Sequence, residues 1–163
     1  MNAKEVALQT LNLSDHVTKA YLGDLSDADL MIRAVPGMHH IAWQMGHLIS
    51  VERMGVEMIS PGSCPALPEG FDAKHTKEAS TSDDASQFHT KAEYLAVWDA
   101  QRAATLAVLK SLTDEQLDAP APETWQRMVP TVGLTFNFLG THVLMHVGQY
   151  VAVRRYLGKP ITI

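Results

Sequence analysis

The placement of the prolines is the strongest constraint on how this chain folds. A proline inside an α-helix removes a backbone hydrogen bond, and its ring clashes with the preceding turn. The eight prolines of this 163-residue chain stand at positions 36, 61, 65, 68, 120, 122, 130 and 160. They leave four long stretches free of proline, and long helices can run only in these stretches.

The proline-free stretches predict four long helices. These run over about residues 3–22, from the end of VPGMHH to about Ile59, from Thr90 to about Lys110, and from near Thr131 to Leu157. Thr90 is followed three residues later by Glu93, which is the spacing of a capping box. Gly23 and Gly158 are placed to end the first and the last helix.

Shorter elements join these helices. The segment LSDADLM predicts a turn capped by Ser26, and SLTDEQLD predicts another capped by Thr113. Residues 60–88, rich in Pro, Gly, Ser and Asp, predict a long surface loop that could serve as a lid, and residues 119–130 a second loop. No segment shows the two-residue alternation of strands. The sequence therefore predicts an all-α four-helix bundle with short satellite helical turns, as one domain over residues 1–163.

Composition and charge exclude several classes of partner. Hydrophobic residues make up 46% and charged residues 19% of the chain, and the net charge is −5 without a basic stripe. These values are typical of a globular protein and argue against nucleic acid as the main partner. No apolar run approaches the ~18 residues of a membrane span, and no signal peptide is apparent. With a single cysteine, Cys64, and hence no internal disulfide, we expect a cytoplasmic protein.

Two histidines stand four residues apart in the last predicted helix. In the segment THVLMHVGQY, His142 and His146 are separated by about 40° around the helix axis and about 6 Å along it, so their rings can point at one ion. An isolated H-x-x-x-H pair is more often two satisfied core imidazoles than a metal site. The pair alone leaves both interpretations open.

A third histidine favours the metal interpretation. His47 lies in the second predicted helix, on a stripe at three-and-four spacing that contains His40, Trp43, Gln44, Val51, Met54 and Met58. Gly46 beside it would let another helix backbone approach. One imidazole from this helix and two from the last form a three-nitrogen face with an open position for water or substrate. Three imidazoles suit zinc, nickel, iron and copper alike.

Two further polar residues are candidates for a catalytic role. His40 could act at the pocket mouth as a proton donor or supplementary ligand, although capping the helix start is the simpler interpretation. Gln149, one turn beyond His146, could orient a ligand, or it could satisfy buried backbone groups. Trp125, in a loop between prolines, could cover the site entrance, contact a partner or simply pack.

The remaining histidines and the methionines are predicted to be structural or solvated. His39 is expected to face away from the site, and His16, His75 and His89 to be exposed to solvent. The methionines near the proposed site are expected to fill irregular core space. They are Met45, Met54, Met58 and Met145. Motifs for a zincin, a di-iron carboxylate bundle, a nucleotide-binding loop and a nucleophile elbow are missing from the sequence.

Two long motifs carry a resemblance to a known family. The segment VPGMHHIAWQMGHLISVE, followed far downstream by THVLMHVGQYVAVRRYLGKP, resembles the DinB-like superfamily in its YfiT-like branch. In that family a histidine of the second helix joins an H-x-x-x-H pair of the last long helix to bind a divalent metal. The resemblance implies that His47, His142 and His146 are the ligands, and it covers nearly the whole chain.

The resemblance also implies a fold and a range of activities. It implies a four-helix bundle, commonly a homodimer, that binds nickel, zinc or a similar divalent ion. Relatives include thiol-dependent transferases that use bacillithiol, mycothiol or glutathione, and a maleylpyruvate isomerase. The expected substrate is therefore a small molecule, with a low-molecular-weight thiol as co-substrate. The alternatives are a metal-dependent hydrolase and a metal-binding or structural bundle without catalysis.

Overall fold

Five α-helices, four of them long, make up most of the described chain. In this computed structural model, residues 2–161 are described. The helices are α1 (Ala3–Leu22), α2 (Ile41–Ile59), α3 (Lys91–Ser111), α4 (Asp114–Asp118) and α5 (Val132–Tyr156). No strand occurs within residues 2–161. The predicted all-α bundle with satellite turns is therefore confirmed, and each long helix lies where the prolines allow it.

Polar side chains fix the helix starts. Thr90 accepts a hydrogen bond from the backbone N–H of Glu93, whose carboxylate accepts from the N–H of Thr90, so the predicted capping box of α3 is confirmed. Thr113 caps α4 in the same way. His40 caps α2, because its Nδ1 accepts from the Trp43 backbone N–H at 3.0 Å. Each cap satisfies a backbone N–H group that has no partner inside its helix.

Close backbone contact joins α1 to α5, which pack together more extensively than any other pair of helices. At Gly140 of α5, an added Cβ would lie 2.7 Å from the Thr10 side chain and 3.1 Å from the Thr10 carbonyl carbon. Only glycine allows this approach. The α1–α5 pair forms one side of the bundle, and α2 crosses between α5 and α3. This places one face of α2 directly against the histidine-bearing part of α5.

A buried ion pair connects α2 to α3. The Arg102 Nη2 atom lies 2.8 Å from a Glu52 carboxylate oxygen, and both side chains are almost fully buried. Thr105 donates to the other Glu52 oxygen at 2.7 Å, and Arg102 Nη1 donates to the Leu11 carbonyl of α1 at 3.0 Å. Burial raises the pKa of Glu52, and the Arg102 charge opposes that rise. The cluster ties three helices together through polar contacts in an otherwise apolar interior.

The loop of residues 60–88 is anchored to the bundle instead of forming a free lid. It contains three short 3-10 turns, and it buries Phe71 and His75 in the core. The His75 ring lies against Gly46, where an added Cβ would be only 2.1 Å from ring atoms. The expectation of a solvated His75 was therefore wrong. Gly46 makes room for this ring and not for another helix.

Several other side chains differ from expectation in their exposure. Met54, Met58 and Met145 are 44%, 40% and 62% exposed, so they do not fill the core, whereas Met45 is fully buried as expected. Met54 lies seven residues after His47 and shares its direction, and His47 is itself only half-buried. The stripe on α2 is therefore buried at its start and exposed to solvent towards the end of the helix. His16 is exposed as expected, but His89 is half-buried.

None of the helices within residues 2–161 is both long and apolar enough to cross a membrane.

Candidate metal site

Three imidazoles from two helices meet in the groove between α2 and α5. His47 comes from α2, His142 and His146 come from α5, and their ligating nitrogen atoms all lie within 4.8 Å of one another. The Nε2 atoms of His142 and His146 are 3.2 Å apart. The His47 ring centroid lies 5.3 Å from that of His142 and 5.2 Å from that of His146. The structure thus brings together the three residues that the sequence singled out.

The donor set fits a divalent metal ion. Zinc–imidazole bonds are about 2.0–2.1 Å long, so two nitrogens on one tetrahedral ion lie about 3.3 Å apart. The 3.2 Å between the two Nε2 atoms of α5 is close to that separation. The third nitrogen lies within 4.8 Å of both, on the facing helix. Three nitrogens from protein leave a further coordination position open.

Gln44 fixes the proton position on His146. The Gln44 amide Nε2 donates to the His39 carbonyl at 2.6 Å, which leaves its Oε1 to face the ring of His146. The His146 Nδ1 lies 2.9 Å from that oxygen and must therefore donate its proton there. In the neutral ring the Nε2 atom then carries the lone pair, and this is the atom that faces His142. Gln44 lies on the predicted stripe of α2, and its contact with His146 was not predicted.

Aromatic stacking holds His47. Its ring is nearly parallel to the Trp43 indole, with an interplanar angle of 8° and a centroid distance of 4.9 Å. The indole N–H donates to the Thr76 carbonyl at 2.8 Å, which anchors the stack to the loop of residues 60–88. His39 contacts Trp43 at 4.4 Å. The expectation that His39 faces away was wrong, and because His39 precedes α2, no helix periodicity marks this contact.

Burial keeps these imidazoles neutral. Desolvation, followed by repulsion from His47, lowers the pKa of His142 to about 4. Desolvation and then the neighbouring His142 lower the pKa of His146 to about 3. Burial also lowers the pKa of His47, with a smaller effect from His39. At neutral pH the cluster therefore presents lone pairs and not positive charge, which is the state that metal binding requires.

An apolar cavity opens beside the cluster. We call it the side cavity, and its volume is about 290 Å³. His47 and His142 line it, together with Val51, Met54, Trp125, Met128 and Phe138. Phe138 stacks on His142 at 5.3 Å, and the buried Trp125 meets Phe138 edge to face at 5.7 Å. Trp125 was expected to cover the site entrance, to contact a partner or simply to pack. It packs against Phe138 and also lines the cavity beside the site.

The two candidate catalytic residues lie outside the cluster. Both ring nitrogens of His40 are engaged, Nδ1 by the Trp43 N–H and Nε2 by the Ser82 carbonyl at 3.1 Å. Burial, reinforced by the Arg33 charge, lowers the pKa of His40 to about 4. The capping interpretation of His40 is thus confirmed. Gln149 is half-buried on α5, one turn beyond His146.

Comparisons with known proteins agree with this fold. The sequence profile of the DinB superfamily matches residues 10–150. A crystal structure described as that of a conserved protein from Enterococcus faecalis is similar, with a TM-score of 0.70 and 19% sequence identity. The match covers 98% of this chain and 99% of that one, and at this identity it shows the fold alone. The search of curated proteins finds no match. The profile match spans most of the chain, and the chain therefore belongs to the DinB superfamily.

Proposed function

We propose that this protein binds a divalent metal ion through His47, His142 and His146 and uses it to activate a small thiol. The observation that supports the proposal is the convergence of three neutral imidazoles, with two Nε2 atoms 3.2 Å apart. Nickel and zinc are the ions we favour, because imidazole ligands suit both. Membership of the DinB superfamily agrees with a metal site at this place.

The chemistry follows from the charge of the donor set. Three neutral imidazoles leave the double charge of a bound ion uncompensated, so the ion would act as a Lewis acid and lower the pKa of a thiol or water at its open position. The protein's own residues hold the ligands in place. Gln44 fixes the His146 tautomer, and Trp43 fixes the plane of the His47 ring. Such partners are what keep metal ligands preorganised.

A thiol suits this site better than water does. In the part of the chain that the structure describes, no residue that lines the side cavity carries a carboxylate, and the buried Glu52 of α2 is engaged by Arg102 and Thr105. The site therefore offers no carboxylate base to take a proton. A bound zinc ion would lower the pKa of water to about 7 but would deprotonate a coordinated thiol outright, so a thiol needs a base less than water does. The two alternatives are a metal-dependent hydrolase and a metal-binding bundle without catalysis.

Two further features belong to the proposal. We expect a homodimer, because the exposed apolar side chains Val6, Leu13 and Leu134 of α1 and α5 offer material for an interface. We also expect a cytoplasmic location. The free cysteine Cys64 and the proposed thiol chemistry both suit a reducing compartment.

The test is a turnover assay with the zinc- or nickel-loaded protein. Electrophilic aromatic and epoxide substrates are offered with and without an added thiol, and the His142→Ala variant serves as control. We expect the metal-loaded wild type to consume thiol and the His142→Ala variant not to do so. Turnover that proceeds equally without thiol would favour the hydrolase. Metal binding without turnover under either condition would favour the non-catalytic bundle.

Removal of the Gln44 acceptor is expected to weaken metal binding. Gln44→Met keeps the volume but leaves the Nδ1 proton of His146 without a partner. Loss of such a partner costs about 10–100-fold in metal affinity. Gln44→Glu keeps an acceptor at this position and should bind the ion more tightly than Gln44→Met. Isothermal titration calorimetry with zinc measures the affinity of each variant and so gives their order.

The control for this series is Gln9→Met. Gln9 is an exposed residue of α1, so the same substitution there should leave zinc affinity unchanged. The cobalt-loaded protein gives a second readout, because its visible spectrum reports ligand geometry. Equal zinc affinity in wild type and Gln44→Met, with unchanged cobalt spectra, would show that Gln44 does not orient His146.

A further inference from the structure

Among residues 2–161, no charged side chain lines the side cavity. Its lining consists of the two imidazoles of His47 and His142, five apolar side chains, and Thr124. The Thr124 hydroxyl is directed at the Met58 sulfur at 3.6 Å, which is a weak contact. The charged residues of the adjoining loop, Glu123 and Arg127, are exposed and of opposite sign. Apart from an ion held by the histidines, the described lining therefore offers no ionic partner to a bound molecule.

The neighbouring groove does not supply an anion site either. It meets the side cavity at Val51 and Met54, and its charged residues are Arg53, Glu57 and Asp72, two acids against one base. The Glu57 carboxylate accepts from two loop N–H groups at 2.8 Å each, and Asp72 accepts from Ser50. The local charge is negative, so a carboxylate or phosphate placed in the side cavity would meet repulsion from this side.

The lining of the side cavity instead suits an apolar and polarisable ligand. Phe138 and Trp125 both line the cavity and stand edge to face with each other. Met54 and Met128 are 44% and 57% exposed at its rim. Thioether groups make favourable contacts with aromatic rings, and unbranched methionines adapt to ligands of different shape. The volume of about 290 Å³ lies at the lower end of small-molecule pockets.

We infer that the side cavity binds a small uncharged molecule with an aromatic or branched aliphatic body, whose thiol or hydroxyl end faces His47 and His142. The inference rests on the proposed function, because the histidines give that end its role. It narrows the ligand to a class, since a carboxylate buried at the end of the molecule away from the histidines would lose hydration in the cavity without gaining a partner.

The test compares three ligands of one shape. Benzyl mercaptan is neutral, its para-carboxylate derivative is an anion, and its para-aminomethyl derivative is a cation. Binding to the metal-free full chain is followed by the NMR signal of the Trp125 indole N–H, assigned with Trp125→Phe. We expect the neutral ligand to bind about tenfold or more tightly than either charged one, because burying an unpaired charge is costly. Equal binding, or tighter binding of the anion, would overturn the inference.

A matched pair of variants locates the binding site. Met128→Glu places a carboxylate at the rim of the side cavity, whereas Met145→Glu places one on α5, where Met145 is 62% exposed and does not line the cavity. We expect Met128→Glu to weaken binding of benzyl mercaptan about tenfold or more and Met145→Glu to leave it unchanged. Equal effects of the two variants, or no saturable binding of benzyl mercaptan to the wild type, would overturn the inference.

The failure of this inference differs from the failure of the proposed function. A chain that discriminates the three ligands without metal, but binds neither zinc nor nickel, supports the apolar cavity and contradicts the metal-dependent function. A chain that binds zinc through the three histidines but does not discriminate the ligands contradicts the inference and leaves the metal site in place.

Discussion

Arg102→Met is expected to lower the free energy of unfolding by about 3–5 kcal/mol, because it leaves a buried carboxylate without its charge partner. Glu52 is 3% exposed, and its two carboxylate oxygens contact Arg102 and Thr105. The substitution also removes the hydrogen bond from Arg102 to the Leu11 carbonyl. Urea unfolding followed by circular dichroism measures the loss.

The acid range gives this prediction a second readout. Burial raises the pKa of Glu52 in the folded protein, so the contribution of Glu52 to stability is most favourable at low pH. This contribution is lost as the pH rises from the pKa of Glu52 in the unfolded chain to its pKa in the folded protein. Removal of Arg102 raises that folded pKa further. The difference between variant and wild type should therefore shrink as pH falls and Glu52 becomes protonated.

The control is the double variant Glu52→Leu and Arg102→Met. Apolar replacement of both partners of a buried ion pair is often neutral or stabilising. Thr105 keeps an acceptor in this variant, because its hydroxyl oxygen lies 3.0 Å from the Gln101 carbonyl and can donate there instead. We expect the double variant to recover most of the lost stability. If it were as unstable as Arg102→Met alone, an unpaired Glu52 would not be the cause.

Gly46→Ala is expected to destabilise the fold by about 1–3 kcal/mol, the usual cost of overpacking a core. An added Cβ would lie 2.1 Å from the His75 ring. The ring is not free to move aside, because its Nδ1 lies 2.7 Å from the Phe71 carbonyl and its Nε2 lies 2.7 Å from the Tyr94 hydroxyl. Thermal and urea unfolding give the magnitude.

Gly148→Ala is the matched control, because Gly148 lies inside α5 with open space around its Cα. Alanine is favoured over glycine in a helix by up to about 1 kcal/mol, so this variant should be slightly stabilised. Opposite signs for the two glycines would establish that His75 packing, and not helix propensity, governs position 46. Destabilisation of both to the same extent would contradict the account.

The helices could be predicted because their signals are local. Prolines delimit the stretches, and the capping pair Thr90 and Glu93 marks the start of α3 within three residues. The metal-site candidates could be predicted for a similar reason, because His142 and His146 share a helix face whatever the fold. His47 lies on a different helix, so no local spacing links it to this pair. It was chosen as the third ligand because of the stripe on which it lies and because of the family resemblance.

The remaining features depend on contacts between distant segments. The loop of residues 60–88 has a composition typical of a surface, yet His75 is buried because Gly46 leaves space and Tyr94 supplies a hydroxyl partner. The Gln44 contact with His146 spans 102 residues and depends on how α2 is rotated against α5. No local pattern specifies that rotation. Such contacts require the assembled bundle.

Metal content tests the central claim most directly. Untagged wild type, His47→Ala and His146→Ala are purified, loaded with zinc or nickel, and analysed by inductively coupled plasma mass spectrometry, with circular dichroism to verify folding. We expect about one ion per chain in the wild type and its loss in both folded variants, since each variant lacks one of the three ligands. A wild type that takes up neither ion, or variants that keep the full amount, would contradict it.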